Sequence, residues 1–290
     1  MNTISFMTAN FVAREIGYSM TKGWWEGDQA VSRYFEPGET FAERFDAMLG
    51  EITPLGFSAI DLWVAHLNPD WATERQIEEA AAILEKRGVS VSSLAIGIPD
   101  DLAKLEPISV MAKALGTRIL GGGCPPGILE SQRKELLQAL EKYDLVFGYE
   151  NHPEKNAAEL LAKIGAPCGG RIGVTIDTGW FGTYGTSAPD AIRELSDRLV
   201  HVHLKDIFAP HRSSDHHDIR VAAPTNPTLK DMGHETCTLG EGVVGIEACV
   251  AALKEIGYAG GISIEHEPED HNPLEDIRIG YSRLQNWLGR

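Results

Sequence analysis

Apolar residues recur along this chain with two alternating spacings, one typical of buried strands and the other typical of helices. Phe41, Phe45 and Met48 follow the helical period, and Gly56 ends this segment before the apolar run 57–63. The same alternation continues to the end of the chain. The predicted strands are residues 3–8, 57–63, 89–95, 117–120, 145–150, 171–177, 199–204 and 260–265. The later helices are predicted at residues 72–87, 101–115, 129–143, 154–164, 188–196, 246–256 and 274–288.

Strands that are separated by helices of this length must be joined by parallel crossovers. No change in composition marks a linker, so the pattern predicts an α/β fold, a single (β/α)8 TIM barrel domain over residues 1–290. An open doubly wound sheet is the alternative, but no Gly-x-Gly-x-x-Gly turn opens a helix after any strand. Residues 9–36 and 208–244 are longer than ordinary connections, which predicts long loops after strands 1 and 7.

The last four predicted strands each end in a residue type that binds metal ions. These residues are Glu150, Asp177, His203 and Glu265. In a barrel, the active site lies at the carboxyl ends of the strands, so the four side chains should meet there. Three carboxylates and one imidazole favour Mn²⁺ or Mg²⁺, with Co²⁺ or Zn²⁺ able to substitute. We therefore predict one bound divalent cation, with Mn²⁺ preferred; the alternative is four isolated polar caps.

His152 is a candidate for proton transfer. It lies two residues beyond Glu150 and should face the same mouth of the barrel. An imidazole with a pKa near neutrality can serve there as a general base or acid. The alternative is a loop histidine that is hydrogen-bonded to a carboxylate. His201 lies deeper on the face of His203 and is predicted to be a core histidine.

Three further residues near the strand ends are candidates for substrate binding. Lys205 offers an ammonium group to a substrate oxygen or, alternatively, pairs with Asp206 or Glu267. Glu267 is a candidate partner behind the metal ligands. Trp180 follows Asp177 in a glycine-rich segment that we predict to be a loop, where an aromatic face can stack on a sugar ring or pack on the core. His211, His216, His217 and His234 match no compact metal site.

The net charge of the chain limits the classes of partner that it is expected to bind. A formal net charge of −16 and a pI near 5.0 repel nucleic acid and an anionic membrane surface. The amino terminus lacks a secretory pattern, and no apolar run is long enough to span a membrane. Four scattered cysteines without a Cys-x-x-Cys pair match a reduced compartment. We expect a cytoplasmic protein whose partner is a small molecule.

Five segments of the sequence resemble the xylose isomerase-like barrel superfamily, which includes sugar isomerases, ketose 3-epimerases, inosose dehydratases and endonuclease IV. They are Tyr-Glu-Asn-His-Pro at 149–153, Ile-Asp-Thr-Gly at 176–179, His-Val-His-Leu-Lys-Asp at 201–206, Leu-Gly-Glu-Gly at 239–242 and Ile-Glu-His-Glu at 264–267. The resemblance covers nearly the whole chain. It implies that Glu150, Asp177, His203 and Glu265 bind manganese or a similar cation.

The resemblance also implies a type of reaction. Members other than the nucleases remove a proton from a carbon beside a carbonyl, while a cation stabilises the charge that develops. His152 is then the expected base, or else Glu150 or Glu265. The Glu-Asn-His segment is also similar to the larger subunit of C-glycoside deglycosidases, which act on 3-keto-glycosides together with a smaller second chain.

Four functions follow from the resemblance, in order of preference. Ketose epimerases and isomerases of the group often carry a histidine three residues after the metal-binding aspartate, where this chain has Trp180. Room for a flat group at Trp180 and the aromatic first loop favours a lyase that performs β-elimination on an oxidised (3-keto) glycoside. The alternative is a sugar isomerase or ketose 3-epimerase. A non-catalytic sugar-binding protein and an endonuclease IV-like nuclease rank lower. The expected partner is a sugar or glycoside, with a homo-oligomer or a smaller partner subunit allowed.

Overall fold

Eight parallel strands close into a barrel in the computed structural model, which describes residues 2–209 and 228–290. Their order around the barrel is β1-β10-β7-β6-β5-β4-β3-β2, so each strand is hydrogen-bonded to the next barrel strand in the chain. The closed order confirms the predicted TIM barrel and excludes an open sheet. The barrel strands are β1 (Thr3–Met7), β2 (Ala59–Trp63), β3 (Ser90–Ala95), β4 (Ile119–Gly122), β5 (Val146–Glu150), β6 (Ile172–Asp177), β7 (Leu199–Leu204) and β10 (Gly261–Ile264).

Helices occupy the connections between the barrel strands, as the 3.6-residue spacing predicts. The boundaries agree with the sequence-based ones to within a few residues for most helices. In the described residues they are α1 (Trp24–Phe35), α2 (Gly38–Ile52), α3 (Glu74–Arg87), α4 (Leu105–Ala114), α5 (Ile128–Ser131), α6 (Arg133–Lys142), α7 (Ala157–Ile164), α8 (Thr178–Thr183), α9 (Ala188–Glu194), α10 (Ile246–Glu255) and α11 (Leu274–Leu288).

Small residues make room inside the barrel below the strand ends. A Cβ atom added to Gly148 would lie 2.3 Å from Thr175 Oγ1, and one added to Gly261 would lie 2.8 Å from His201 Cε1. Such distances are too short for non-bonded atoms, so only glycine fits at these positions without a shift of its neighbours. The glycines leave room inside the barrel for the side chains of Thr175 and His201. The longer polar side chains lie one layer higher, at the carboxyl ends of the strands.

The segment after β1 differs from the predicted long loop. It contains helix α1, in which Gly27, Val31 and Phe35 are buried at intervals of four residues. A Cβ atom on Gly27 would lie 2.3 Å from Val12 O, so the helix packs directly on the chain that leaves β1. The helix within this long segment was not predicted because its single apolar stripe is short and interrupted by glycine, and it is stabilised by packing rather than by intrinsic helix propensity.

The two ends of the long connection after β7 pair with each other as two short strands. Strands β8 (Asp206–Phe208) and β9 (Glu235–Cys237) pair antiparallel at its base. The Asp206 carboxylate accepts hydrogen bonds from the backbone amides of Gly240 and Gly242 at 2.9 and 3.0 Å. Asp206 therefore organises the return of the chain to the barrel. His211, His216 and His217 lie outside the described residues.

No helix within residues 2–209 and 228–290 combines the length and the apolar character that are needed to cross a lipid bilayer.

Candidate active site

The four metal ligands predicted from the sequence meet at the carboxyl ends of β5, β6, β7 and β10. His203 Nδ1 lies 2.8 Å from Glu150 Oε1 and 3.1 Å from Glu265 Oε2. Ligand atoms of Glu150, His203 and Glu265 lie within 4.8 Å of one another, and so do those of Glu150, His152 and Asp177. The two sets share Glu150, so Glu150, Asp177, His203 and Glu265 form one cluster, and the partly exposed His152 lies beside it. This buried cluster could bind a divalent metal ion.

The hydrogen bonding of the carboxylates fits a bound cation. Asp177 Oδ1 accepts hydrogen bonds from the amides of Gly179 and Trp180 at 2.7 and 3.1 Å. In contrast, Asp177 Oδ2 and Glu265 Oε2 are buried and accept no hydrogen bond. Lys205 Nζ lies 3.1 Å from Asp177 Oδ2 and His203 Nδ1 lies 3.1 Å from Glu265 Oε2, but neither contact forms a hydrogen bond. Buried carboxylate oxygens normally have a donor or a metal ion, so these two oxygens suit ligands of a cation.

Burial and the neighbouring acids together raise the pKa of Asp177. Burial raises the pKa of Asp177, Lys205 lowers it, and Glu265 and Glu150 raise it again, so the pKa is above its ordinary value. Concentrated negative charge of this kind is what a divalent cation relieves. The Asn151 amide holds Asp177 in place: its Nδ2 donates to Asp177 O at 3.0 Å, and its Oδ1 accepts from Asp177 N at 2.8 Å. No role of Asn151 was predicted from the sequence, although this residue directly follows a predicted ligand.

Asp61 lies behind His203 and was also missed from the sequence. Its Oδ2 is 3.0 Å from His203 Nε2 and 2.8 Å from His201 Nε2, and it accepts a hydrogen bond from Ser263 Oγ at 2.9 Å. Burial would raise the pKa of Asp61, but His201 and His203 outweigh that effect and lower it. A carboxylate on the far nitrogen of a ligand histidine fixes the ring orientation and its tautomer. His201 is a buried core histidine, as predicted.

A lysine and a glutamate adjoin the cluster on the β10 side. Lys205 Nζ lies 3.1 Å from Asp177 Oδ2, 2.9 Å from Glu265 Oε1 and 3.0 Å from Glu267 Oε2. Of the two partners considered from the sequence, Lys205 therefore pairs with Glu267 and not with Asp206. Glu267 Oε1 also accepts a hydrogen bond from Trp24 Nε1 of α1 at 3.2 Å. Burial raises the pKa of Glu267 to about 7, with Lys205 opposing this effect and Glu265 adding to it.

His152 flanks the cluster on the β5 side. Its Nε2 lies 3.9 Å from Glu150 Oε2, which is beyond hydrogen-bond distance, and 37% of its side chain is exposed. The ring packs edge-on against Trp180, with 4.9 Å between the centroids. Trp180 itself is 6% exposed. His152 is thus held by an aromatic neighbour while its polar atoms remain accessible from the mouth of the barrel.

The segment after β6 is a helix rather than the predicted loop. Asp177 caps helix α8 through the amides of Gly179 and Trp180, and the helix places Trp180 below His152. The prediction was wrong because the two glycines of the segment suggest a loop, whereas the N-cap hydrogen bonds of Asp177 stabilise the first turn. Trp180 is buried and packs against the His152 ring, and its role in binding substrate stays a prediction.

Comparison with known proteins places the chain in a family. Residues 51–287 match the family model described as xylose isomerase-like TIM barrel. The chain belongs to this family. No curated protein sequence gives a significant match.

Several solved structures superpose on this chain over most of its length. An L-ribulose 3-epimerase superposes with a TM-score of 0.65 and 15% identity, covering 100% of this chain and 95% of that chain. A D-tagatose 3-epimerase-like protein superposes with a TM-score of 0.63 and 18% identity, covering 83% of this chain and 92% of that chain. A third structure is the probable 3-DHS dehydratase of Bacillus anthracis, which is involved in petrobactin synthesis. It superposes with a TM-score of 0.60 and 16% identity, covering 99% of each chain. At these identities the likeness shows a shared fold alone.

Replacing Asp61 by asparagine is expected to weaken binding of Mn²⁺ by about 10- to 100-fold, the usual cost of losing an outer partner of a ligand histidine. Asparagine retains the shape of aspartate but removes the charge that faces His201 and His203. Loss of one partner of a buried charge pair should also lower the free energy of unfolding by about 3–5 kcal/mol. Isothermal titration with Mn²⁺ and chemical denaturation measure the two effects.

Asp206→Asn is the matched control for Asp61→Asn, because Asp206 is also fully buried but binds backbone amides of the loop before α10. We expect this variant to lose stability while its affinity for Mn²⁺ stays near that of the parent. Equal affinities for Mn²⁺ in Asp61→Asn and the parent would contradict the positioning role of Asp61.

Proposed function

We propose that this protein is a divalent-metal-dependent enzyme that transfers a proton at a carbon beside the carbonyl of a small sugar, as a ketose 3-epimerase or sugar isomerase. The observation that carries the proposal is the distribution of proton-transfer groups around the cluster. His152 lies at its β5 end, whereas Lys205 and Glu267 lie at its β10 end. Inversion at a carbon requires removal of a proton from one face and delivery to the other, which two separate groups can perform.

The protein's own residues have distinct parts in this reaction. Glu150, Asp177, His203 and Glu265 would hold the cation, which supplies positive charge to the carbonyl oxygen as negative charge develops there. His152 takes the proton from the carbon; Glu150 and Glu265 are the alternative bases.

On the opposite side, Glu267 returns a proton, since its pKa of about 7 lets it be protonated near neutrality. The buried Lys205 ammonium, bound to Glu265 and Glu267, orients these carboxylates. Trp24 covers Glu267 through its indole N–H, which limits access of water to this side.

The comparisons support epimerisation or isomerisation better than the deglycosidase predicted from the sequence. Two structurally similar proteins are described as an L-ribulose 3-epimerase and a D-tagatose 3-epimerase-like protein. Since their identities are low, the chemistry is transferred here as a proposal that rests on the arrangement of the site. Manganese is the preferred cation in this proposal because the ligand set is rich in oxygen.

β-Elimination is the second candidate and begins with the same removal of a proton. Loss of a substituent at the β carbon would then replace reprotonation, as in the lyase reaction on a 3-keto-glycoside. One observation favours it: a similar structure that spans 99% of both chains is described as a probable dehydratase. Dehydration is an elimination, so a barrel of this shape is compatible with that outcome.

Incubation with Mn²⁺ in D₂O separates the candidates. Ketopentoses, ketohexoses and 3-keto-glycosides are each followed by proton NMR. We expect deuterium at C3 of a ketose together with its C3 epimer, or deuterium at C1 or C2 with an aldose. Release of an aglycone would support elimination instead. Sugar-dependent stabilisation without deuterium at any carbon would contradict an enzyme and indicate a binding protein. Cleavage of abasic duplex DNA, the reaction of the nuclease alternative, is not expected.

A further inference from the structure

A second cluster of metal-binding side chains lies beside the barrel mouth, on the segment that leads from β10 into α11. It consists of His266, His271 and Asp276. We propose that this cluster is a separate binding site for Zn²⁺ or a metal ion of similar preference. None of its residues belongs to the cluster of Glu150, Asp177, His203 and Glu265. Two imidazoles and one carboxylate also form a more nitrogen-rich set, which suits Zn²⁺, Co²⁺ or Ni²⁺.

The distances from Asp276 to the two histidines match those in a tetrahedral metal site. Asp276 Oδ2 lies 3.3 Å from His266 Nε2 and 3.1 Å from His271 Nε2. One potential ligand atom of each residue lies within 4.8 Å of those of the other two. In a tetrahedral zinc site with bonds of about 2.0–2.1 Å, neighbouring ligand atoms are about 3.3 Å apart. An ion can therefore enter between the three atoms with small shifts of the His271 side chain.

Each of the three ligands also has a partner on its other polar atom. His266 Nδ1 lies 2.9 Å from Thr236 Oγ1, and His271 Nδ1 lies 2.7 Å from Asp270 Oδ1. Asp276 Oδ1 accepts a hydrogen bond from Thr238 Oγ1 at 2.6 Å. Outer partners of this kind orient the ligands in known metal sites, and a carboxylate behind a histidine is one of their usual forms.

The partner of His271 makes a cation at the centre of the cluster favourable. If Nδ1 of the neutral ring donates its proton to Asp270, the lone pair of Nε2 faces Asp276 Oδ2, which is also an acceptor. Two acceptors at this distance repel each other unless a cation or a proton lies between them. A metal ion bound to Nε2 and Oδ2 satisfies both atoms. Protonation of His271 is the competing explanation, and the experiment below distinguishes the two.

The exposure of the ligands provides a way in for the ion. His266 is buried, whereas about half of the His271 side chain is exposed, so the cluster opens to solvent on one side. Water can occupy the remaining coordination position. The site joins three parts of the fold, because Thr236 belongs to β9, His266 follows β10 and Asp276 lies in the first turn of α11. A bound ion would tie the β8–β9 hairpin to α11 next to Glu265.

The test is the amount of zinc that each variant binds. Tag-free parent protein, His271→Ala and Asp276→Asn are dialysed against the same micromolar Zn²⁺, and zinc per chain is measured by elemental analysis. His234→Ala is the matched control, since His234 is a partly buried histidine of the same region that does not belong to the cluster. We expect the parent and His234→Ala to hold one more zinc ion per chain than His271→Ala and Asp276→Asn.

The two substitutions guard against misfolding in different ways. His271 lies in an exposed loop, and Asp276→Asn retains an oxygen for the Thr238 hydroxyl, so both variants should show the circular dichroism of the parent. Equal zinc content in all four proteins would overturn the proposal and leave a protonated His271 as the explanation. Repeating the measurement with Asp177→Asn in the background keeps the result independent of the barrel mouth, because the difference of one ion should persist there.

Discussion

Replacing Asp177 by asparagine is expected to weaken Mn²⁺ binding by more than about 100-fold and to abolish measurable turnover. The loss should exceed the 10- to 100-fold cost of removing an outer partner, because Asp177 is a predicted ligand itself. Asparagine can retain the Oδ1 atom that accepts from Gly179 and Trp180, so the N-cap of α8 persists. The substitution removes the charge of Oδ2, which accepts no hydrogen bond and faces Lys205. Titration calorimetry with Mn²⁺ measures the affinity directly.

Glu154→Gln is the matched control for this substitution. Glu154 is a buried acid that follows β5, the strand paired with β6, but its Oε1 accepts from Tyr149 O–H at 3.0 Å and it does not belong to the ligand set. We expect the affinity of this variant for Mn²⁺ to remain within a few-fold of the parent. Unchanged metal stoichiometry and affinity in Asp177→Asn would refute the metal site at the barrel mouth, whatever the activity of the variant.

His152→Ala is expected to lower the rate of proton exchange at the substrate carbon by about 10²- to 10⁴-fold, the usual contribution of a positioned acid or base. Metal content should be unchanged, because His152 Nε2 lies 3.9 Å from Glu150 Oε2 and the four predicted ligands remain. The measurement is deuterium incorporation from D₂O with Mn²⁺ bound, compared with elemental analysis of the same samples. His234→Ala controls for loss of a histidine elsewhere and should exchange at the parental rate.

A loss of no more than a few-fold in His152→Ala, with metal retained, would contradict the role of His152 as the base. The base would then be sought among the carboxylates that touch the cluster, since Glu150 and Glu265 are the alternatives that the sequence already indicates. Trp180→Phe gives a finer measure, because it retains an aromatic edge against His152 while changing its packing. A decrease in kcat with an unchanged KM would indicate that Trp180 positions His152.

The positions of Glu150, Asp177, His203 and Glu265 could be predicted because they depend on topology rather than on side-chain detail. Parallel strands in a closed barrel all end at the same mouth, so a residue at a strand end is placed there by the alternation of strands and helices alone. Topology alone does not predict the partner of Lys205. From the sequence, Lys205 was expected to bind a substrate oxygen or to pair with Asp206 or Glu267, with no means of choosing. Its pairing with Glu267 follows from burial among three carboxylates.

Residues that act across the barrel could not be found in this way. Asp61 and His203 are separated by 142 residues, and their contact depends on the register of strands that are not neighbours. The only signal was an acidic residue inside an otherwise apolar strand, which by itself does not name a partner. The same holds for Thr236, His266 and Asp276, which come from three parts of the chain.

The sequence by itself determined the barrel, the end of the barrel where the site lies and the residue types that meet there, because apolar periodicity encodes both the elements and their buried faces. Only the tertiary structure decided which polar groups pair. It also decided that 24–35 is a helix, since packing against Val12 overrides a weak local preference. The physical reason is that hydrogen bonds and charge pairs act over a few ångströms, whereas the partners are far apart in the chain.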